Sequence, residues 1–283
     1  MAVALAALLT LGAGGGCMVL EAKERELLYR PVRDYVRTPA DMGLPYQDLW
    51  IDVARGDGRG GERVHAWWLP AARPDAPAIL YLHGIRWSLG NNLFRIARWH
   101  ELGFSVLAVD YRGFGRSDGE RPSEDQIYED ARAAWAELER REPRADRRFI
   151  YGHSLGAAVA LDLATTVDGA AGVIAEAGFT SLADIVAETS YAPLSLLLTQ
   201  RFDALSKVPS LRVPVLFMHG TADRFVPPAM TQRLYEAAPQ PKRLHWIEGG
   251  NHGNWNGAGL ADYRRVVLEF VGSARTLAAG PRW

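Results

Sequence analysis

The chain has 283 residues, 48% hydrophobic and 23% charged, enough to bury a sizeable core, which excludes a disordered, collagen-like or multi-span membrane protein. Lys+Arg 32 against Asp+Glu 33 leave a formal net charge of -1, without the positive field of nonspecific phosphate binding, so no nucleic-acid partner is expected. One cysteine excludes a disulfide framework and a cysteine-ligated metal cluster.

In chain order, residues 1–20 come first and carry no charged side chain. Ala2 to Leu11 is apolar enough for the hydrophobic region of a signal. Gly14-Gly15-Gly16-Cys17 resembles a bacterial lipobox in its small residues before the cysteine, but lacks the usual Leu three residues upstream. No Lys or Arg precedes the apolar run. Three readings stay open: a lipoprotein signal with Cys17 as the lipidation site, an uncleaved anchor of about 20 residues, just long enough to span, and an apolar leader or misassigned start on a cytoplasmic enzyme. The expectation is a leader over residues 1–20 that attaches the protein to a membrane of the bacterial cell envelope, and one domain over residues 21–283.

From Glu21 onward, β-rich runs alternate with helical ones, the pattern of an α/β fold with a mostly parallel central sheet flanked by helices. Residues 64–69 alternate weakly and stop at Pro70, as an early strand. Residues 78–83, 105–110, 148–152, 172–176 and 213–219 are nearly continuous apolar runs, the signature of strands buried on both faces. Residues 91–101, 124–141, 154–166, 228–237 and 260–276 carry apolar residues at helical spacing. A last strand is expected over 242–248. Residues 179–212, with the apolar Leu194 to Leu198, form either a small lid or helices flanking the sheet.

Open α/β sheets place their chemistry at the carboxyl ends of the strands. Gly152-His153-Ser154-Leu155-Gly156 stands there, between a buried-strand run and a clean helix. It matches the nucleophile elbow, a strained strand-to-helix turn whose small flanking residues let strand and helix approach. A serine hydroxyl needs a base to become nucleophilic, and the base needs a carboxylate to hold its tautomer. Asp223 follows the 213–219 strand on a short glycine-bearing loop. His252 lies in Gly249-Gly250-Asn251-His252-Gly253 after the last strand.

The rivals are weaker. His153 reads as a residue packing beside the turn, and His83, His219 and His245 as structural histidines. Asp110 precedes Tyr111-Arg112-Gly113 and reads as a turn stapled by Asp110 and Arg112. Glu176 is the runner-up acid. No metal spacing occurs among the seven His, and no cofactor or metal is expected. A tetrahedral oxyanion needs two donors, which the Leu155 N–H and the Ile85 N–H, in His83-Gly84-Ile85, are placed to supply.

Together these segments resemble the α/β-hydrolase superfamily. Within it the chain is similar to small membrane-associated hydrolases near the serine-aminopeptidase and monoacylglycerol-lipase-like groups, which include acyl-protein depalmitoylating relatives. The resemblance runs through Tyr81-Leu82-His83-Gly84, Asp110-Tyr111-Arg112-Gly113-Phe114-Gly115, Gly152 to Gly156, His219-Gly220-Thr221-Ala222-Asp223 and Gly250-Asn251-His252. It implies Ser154, Asp223 and His252 as nucleophile, acid and base. The chain departs from it at Ile85-Arg86-Trp87-Ser88, where many relatives have Asn and small residues. The expected function is a serine hydrolase of carboxylic esters or thioesters acting on a small-molecule or acyl substrate, with a serine peptidase and a non-catalytic binding protein as alternatives. Trp87, Phe179 and Trp255 flank the site as candidate acyl-pocket residues.

Overall fold

The apolar runs become the inner strands of one eight-stranded sheet. The structure is a computed structural model that describes residues 21–29, 31–54, 61–188, 195, 198–253, 257 and 259–280. The leader with Cys17 lies outside the described residues, as does Trp255. The strands are β1 (Gln47–Val53), β2 (Glu62–Leu69), β3 (Ala78–Leu82), β4 (Ser105–Val109), β5 (Arg148–His153), β6 (Gly172–Glu176), β7 (Val215–Gly220) and β8 (Lys242–Ile247). Their order is β1-β2-β4-β3-β5-β6-β7-β8. β2 runs antiparallel to both neighbours and all other pairs beyond it are parallel.

Residues 21–28 form a helix, α1. It is followed by α2 (Leu93–Glu101), α3 (Glu124–Arg141), α4 (Leu155–Thr166), α5 (Leu182–Ala187), α6 (Ala204–Lys207), α7 (Pro228–Ala237) and α8 (Leu260–Ala278). Alternation along the strands splits the core in two, because successive side chains point to opposite faces. Leu80, Leu107, Ile150, Val173 and Phe217 meet α3, α4 and α7 on one face. Ile79, Val106, Tyr151, Ile174 and Met218 meet α2 and α8 on the other. α3 starts where its first turn is closed reciprocally: Ser123 Oγ accepts from the Gln126 N–H, and Gln126 Oε1 accepts from the Ser123 N–H.

Three local differences from the sequence expectation have plain causes. The expected 213–219 strand begins only at Val215, since Pro214 has no N–H for a ladder. The helix expected from Asn91 starts as a 3-10 turn, Leu89–Asn92, before α2 proper. The Asp110–Arg112 staple is not formed. Arg112 turns instead to Asp130, donating from Nε (2.6 Å) and from its backbone N–H (2.8 Å). Asp110 accepts from the Leu89 N–H at 2.9 Å and from the Tyr35 hydroxyl. No helix among the described residues is long and apolar enough to cross a membrane.

Candidate active site

β5 ends at His153 and α4 begins at Leu155, which leaves Ser154 alone on the turn with φ 57 and ψ -119. A positive φ at a non-glycine residue is strained and persists only where its surroundings over-determine it. Here they do: the Ser154 N–H donates to the Glu176 carbonyl of β6 (2.9 Å), and the Ala157 N–H returns to the Ser154 carbonyl (2.9 Å). The flanking glycines allow the crossing. A Cβ on Gly152 would lie 1.8 Å from the Gly156 carbonyl oxygen, and one on Gly156 would lie 2.1 Å from that of Leu82.

Loops after β7 and β8 bring Asp223 and His252 to this turn. His252 Nε2 is 3.1 Å from Ser154 Oγ, and His252 Nδ1 is 2.7 Å from Asp223 Oδ2. With Nδ1–H donating to the carboxylate, Nε2 presents its lone pair to the serine hydroxyl, the tautomer that proton abstraction needs. Asp223 Oδ1 accepts from the Phe225 and Val226 N–H groups at 2.8 and 3.0 Å. Oδ2 also accepts from His219 Nε2 at 3.0 Å. Burial pushes the Asp223 carboxyl up, but hydrogen bonds from His219 and His252 outweigh it and hold the group well below the usual carboxylate range. Glu176 does not reach His252. Its carboxylate accepts from the Tyr151 (2.8 Å) and Tyr263 (2.9 Å) hydroxyls inside the core.

The loop of His252 is pinned from below by residues the sequence did not single out or read as bystanders. His153 Nε2 lies 2.7 Å from the His252 carbonyl oxygen. Arg95 of α2, only 3% exposed, donates from Nη2 to the Gly253 carbonyl at 2.7 Å and lies 3.0 Å from His153 Nε2. Burial first, then the Arg95 guanidinium and His252, hold the His153 imidazole well below its usual range. The folded protein thus keeps His153 neutral where the unfolded chain, with an imidazole pKa of about 6.5, takes up a proton. Stability tied to His153 is complete above that pH and is lost as pH falls. One proton is worth at most about 1.4 kcal/mol per pH unit below that pH. Thermal unfolding of His153→Gln should therefore show a shallower decline between pH 7 and 5 than the parent protein. Equal slopes would contradict the neutral, buried state of His153.

A cavity of about 620 Å³ opens above Ser154, within the usual range of small-ligand sites. Leu155 and Ile85 both line it. Leu155 opens α4, so its N–H is one of those no helical carbonyl reaches. Trp87 stands at the opening, 43% exposed with φ 71, and Phe179 lines the interior at 2% exposure. The sequence missed Leu27 and Leu28 of α1, Leu182 and Ile185 of α5, and Phe225, whose ring centroid is 5.7 Å from that of His252. α1 is held in the wall by Glu24, whose carboxylate accepts from the Thr199 (3.0 Å) and Gln200 (2.9 Å) N–H groups. Of the expected lid region, α5 borders the cavity, whereas α6 packs on α4 and α7. Among the described residues no cluster of three or more His, Cys, Asp or Glu is placed to hold a metal ion.

A mostly parallel eight-stranded sheet with a reversed β2 and helices on both faces is the α/β-hydrolase fold. Residues 73–203 and 194–257 match the family described as serine aminopeptidase, S33, and the chain belongs to that family. It is 33% identical over 273 residues to the uncharacterized protein Rv2307c of Mycobacterium tuberculosis, covering 95% of this chain and 93% of that one. It is 29% identical over 285 residues to the alpha/beta hydrolase domain-containing protein WAV2 of Arabidopsis thaliana, covering 90% of each. Among solved structures, the esterase Pf2001 of Pyrococcus furiosus shares the fold with a TM-score of 0.72 at 22% identity, covering 87% of this chain and 98% of that one. The chain is an α/β hydrolase related to esterases and peptidases.

Proposed function

We propose that the chain is a serine hydrolase that cleaves carboxylic esters or thioesters with Ser154 as nucleophile, His252 as general base and Asp223 as the acid that orients it. The observation that carries this reading is the row from Ser154 Oγ through His252 to Asp223, at 3.1 and 2.7 Å, on a strained strand-to-helix turn. Ser154 Oγ attacks the acyl carbon as its proton passes to His252 Nε2. The carbonyl oxygen becomes an oxyanion facing the Leu155 and Ile85 N–H groups. Collapse expels the alcohol or thiol, which takes the proton back from His252. Water then repeats the sequence on the acyl-enzyme and releases the carboxylic acid.

The family's description favours a peptidase as the second reading. Against an aminopeptidase stands the charge of the cavity: among the described residues Arg86, Arg95 and Arg224 line it and no Asp or Glu does, so a substrate's ammonium terminus meets only like charge. Fluorophosphonate labelling tests the reaction class and separates it from a non-catalytic binding protein. Ser154 should be labelled, and His252→Ala should abolish the label. An unlabelled Ser154 in folded protein would overturn the proposal. Parallel p-nitrophenyl ester, thioester and aminoacyl anilide series then rank the leaving groups.

The same proposal holds the enzyme at a membrane through residues 1–20, whose uncharged run ends just before Glu21, the first described residue of the helix whose Leu27 and Leu28 line the cavity. The full chain should fractionate with membranes and release into detergent. If Cys17 is acylated after cleavage, Cys17→Ser should free the protein, because two or three acyl chains suffice for stable anchoring. If the leader is an uncleaved anchor, only deletion of residues 1–20 will release it. Recovery of the intact chain in the soluble fraction would end both forms of the idea.

A further inference from the structure

We propose that the site takes acyl esters or thioesters whose leaving group carries a phosphate-type anion, an inference that rests on the serine-hydrolase reading above. The cavity has a gradient along its depth. Its buried wall carries the apolar Phe179 at 2%, Val226 at 4% and Leu182 at 6% exposure, beside the buried polar Asn92, Arg95 and His153. Its opening carries exposed side chains, among them the cations Arg86 and Arg224. An acyl chain gains by burial in the inner part, which leaves the leaving group to face the opening. The product alcohol or thiol departs by the same side.

The two cations sit where a leaving group must pass. Arg86 stands between Ile85, the proposed oxyanion donor, and Trp87. Arg224 stands between Asp223 and Phe225. Neither has an ion-pair partner among the described residues, and no carboxylate lines the cavity among them. Arg95, the third cation, is engaged below with the Gly253 carbonyl. Two unpaired guanidinium groups over a low-dielectric cleft focus a positive potential there and can fork onto phosphate oxygens. A neutral ester leaves both unanswered.

Matched pairs that differ only in that anion test the inference on the full-length protein. Octanoyl-coenzyme A against octanoyl-N-acetylcysteamine presents it on a soluble thiol. 1-Octanoylglycerol 3-phosphate against 1-octanoylglycerol presents it on a lipid. The anionic member should be preferred by at least about tenfold in kcat/KM, mainly through KM, in one pair or both. The pair that shows the preference identifies the source. The preference should shrink between about 50 and about 500 mM NaCl, as an exposed cation pair is screened. In the Arg86→Gln, Arg224→Gln double variant the ratio of anionic to neutral kcat/KM should drop toward one. Equal kcat/KM within both pairs overturns the inference, as does a preference that is indifferent to salt in the parent protein or survives the double substitution. If all four compounds are refractory while p-nitrophenyl octanoate is hydrolysed, the anion inference falls and the serine-hydrolase reading stands. If p-nitrophenyl octanoate is refractory too and Ser154 is unlabelled by fluorophosphonate, the reading beneath it falls.

Discussion

On the proposed mechanism, Ser154→Ala and His252→Ala should each lower p-nitrophenyl ester turnover by about ten-thousandfold or more, and the double variant should be scarcely worse than either, because nucleophile and base act as a unit. Asp223→Asn should cost about a thousandfold or more. The amide has one oxygen where the carboxylate accepts through two: with that oxygen toward His252 Nδ1–H and His219 Nε2–H its NH2 meets the Phe225 and Val226 N–H donors, and turned over the NH2 meets the histidines, so the imidazole loses its counter-charge and the hold on its tautomer. Glu176→Gln should stay within about tenfold of the parent rate, since Glu176 bonds two tyrosine hydroxyls in the core rather than the base. Steady-state kcat/KM on folded variants gives the ranking. Near-parental turnover in Ser154→Ala removes the serine mechanism, and a Glu176→Gln effect larger than that of Asp223→Asn moves the acid to Glu176.

The positions of Ser154 and Asp223 could be read from the sequence because each follows a strand that advertises itself, whereas His252 follows the half-buried edge strand β8 and was marked by its glycine-rich loop. β5, β6 and β7 are buried on both faces, so they appear as unbroken apolar runs. In an open parallel sheet every such run delivers its next residues to one edge. Ser154 and Asp223 therefore converge by topology, and the loop after the parallel edge strand β8 brings His252 to the same edge. β1 lacks that signal. Its burial alternates, with Asp48, Trp50 and Asp52 on the outer side of an edge strand, and seven residues of half-polar sequence resemble a loop. Arg95 was hidden for a different reason. Hydropathy assigns an arginine to the wet side of α2, yet here the guanidinium is buried because the Gly253 carbonyl and His153 meet it. That partnership spans 158 residues of chain, and no local pattern reports it. The Asp110–Arg112 staple failed likewise, since Asp130 on α3 offers Arg112 a better-aligned partner than its near neighbour.

Gly156→Ala should abolish both folding to the native melting temperature and activity, although it adds one methyl group. The added Cβ would sit 2.1 Å from the Leu82 carbonyl oxygen and 2.7 Å from that of His83. Both are backbone atoms of β3 and the turn that follows, so no side chain can swing aside. Relief requires α4 to move off the sheet, which pulls Ser154 away from His252 and the Leu155 N–H away from its facing donor at Ile85. Strain of this kind belongs to the few mechanisms that exceed about 4 kcal/mol for one substitution. The chemically identical change at Gly272 makes the control. That glycine lies in the interior of α8, with nothing within 4 Å of a Cβ and no positive φ. There alanine should stabilise by about 0.5–1 kcal/mol through its helix propensity and the reduced freedom of the unfolded chain, raising Tm by roughly 2 °C. Scanning calorimetry on both variants separates the cases. A Gly156→Ala protein that melts with the parent and matches it on the proposed p-nitrophenyl ester substrate would mean that α4 does not press on β3 at the elbow, and the strained turn would lose its proposed role in presenting Ser154.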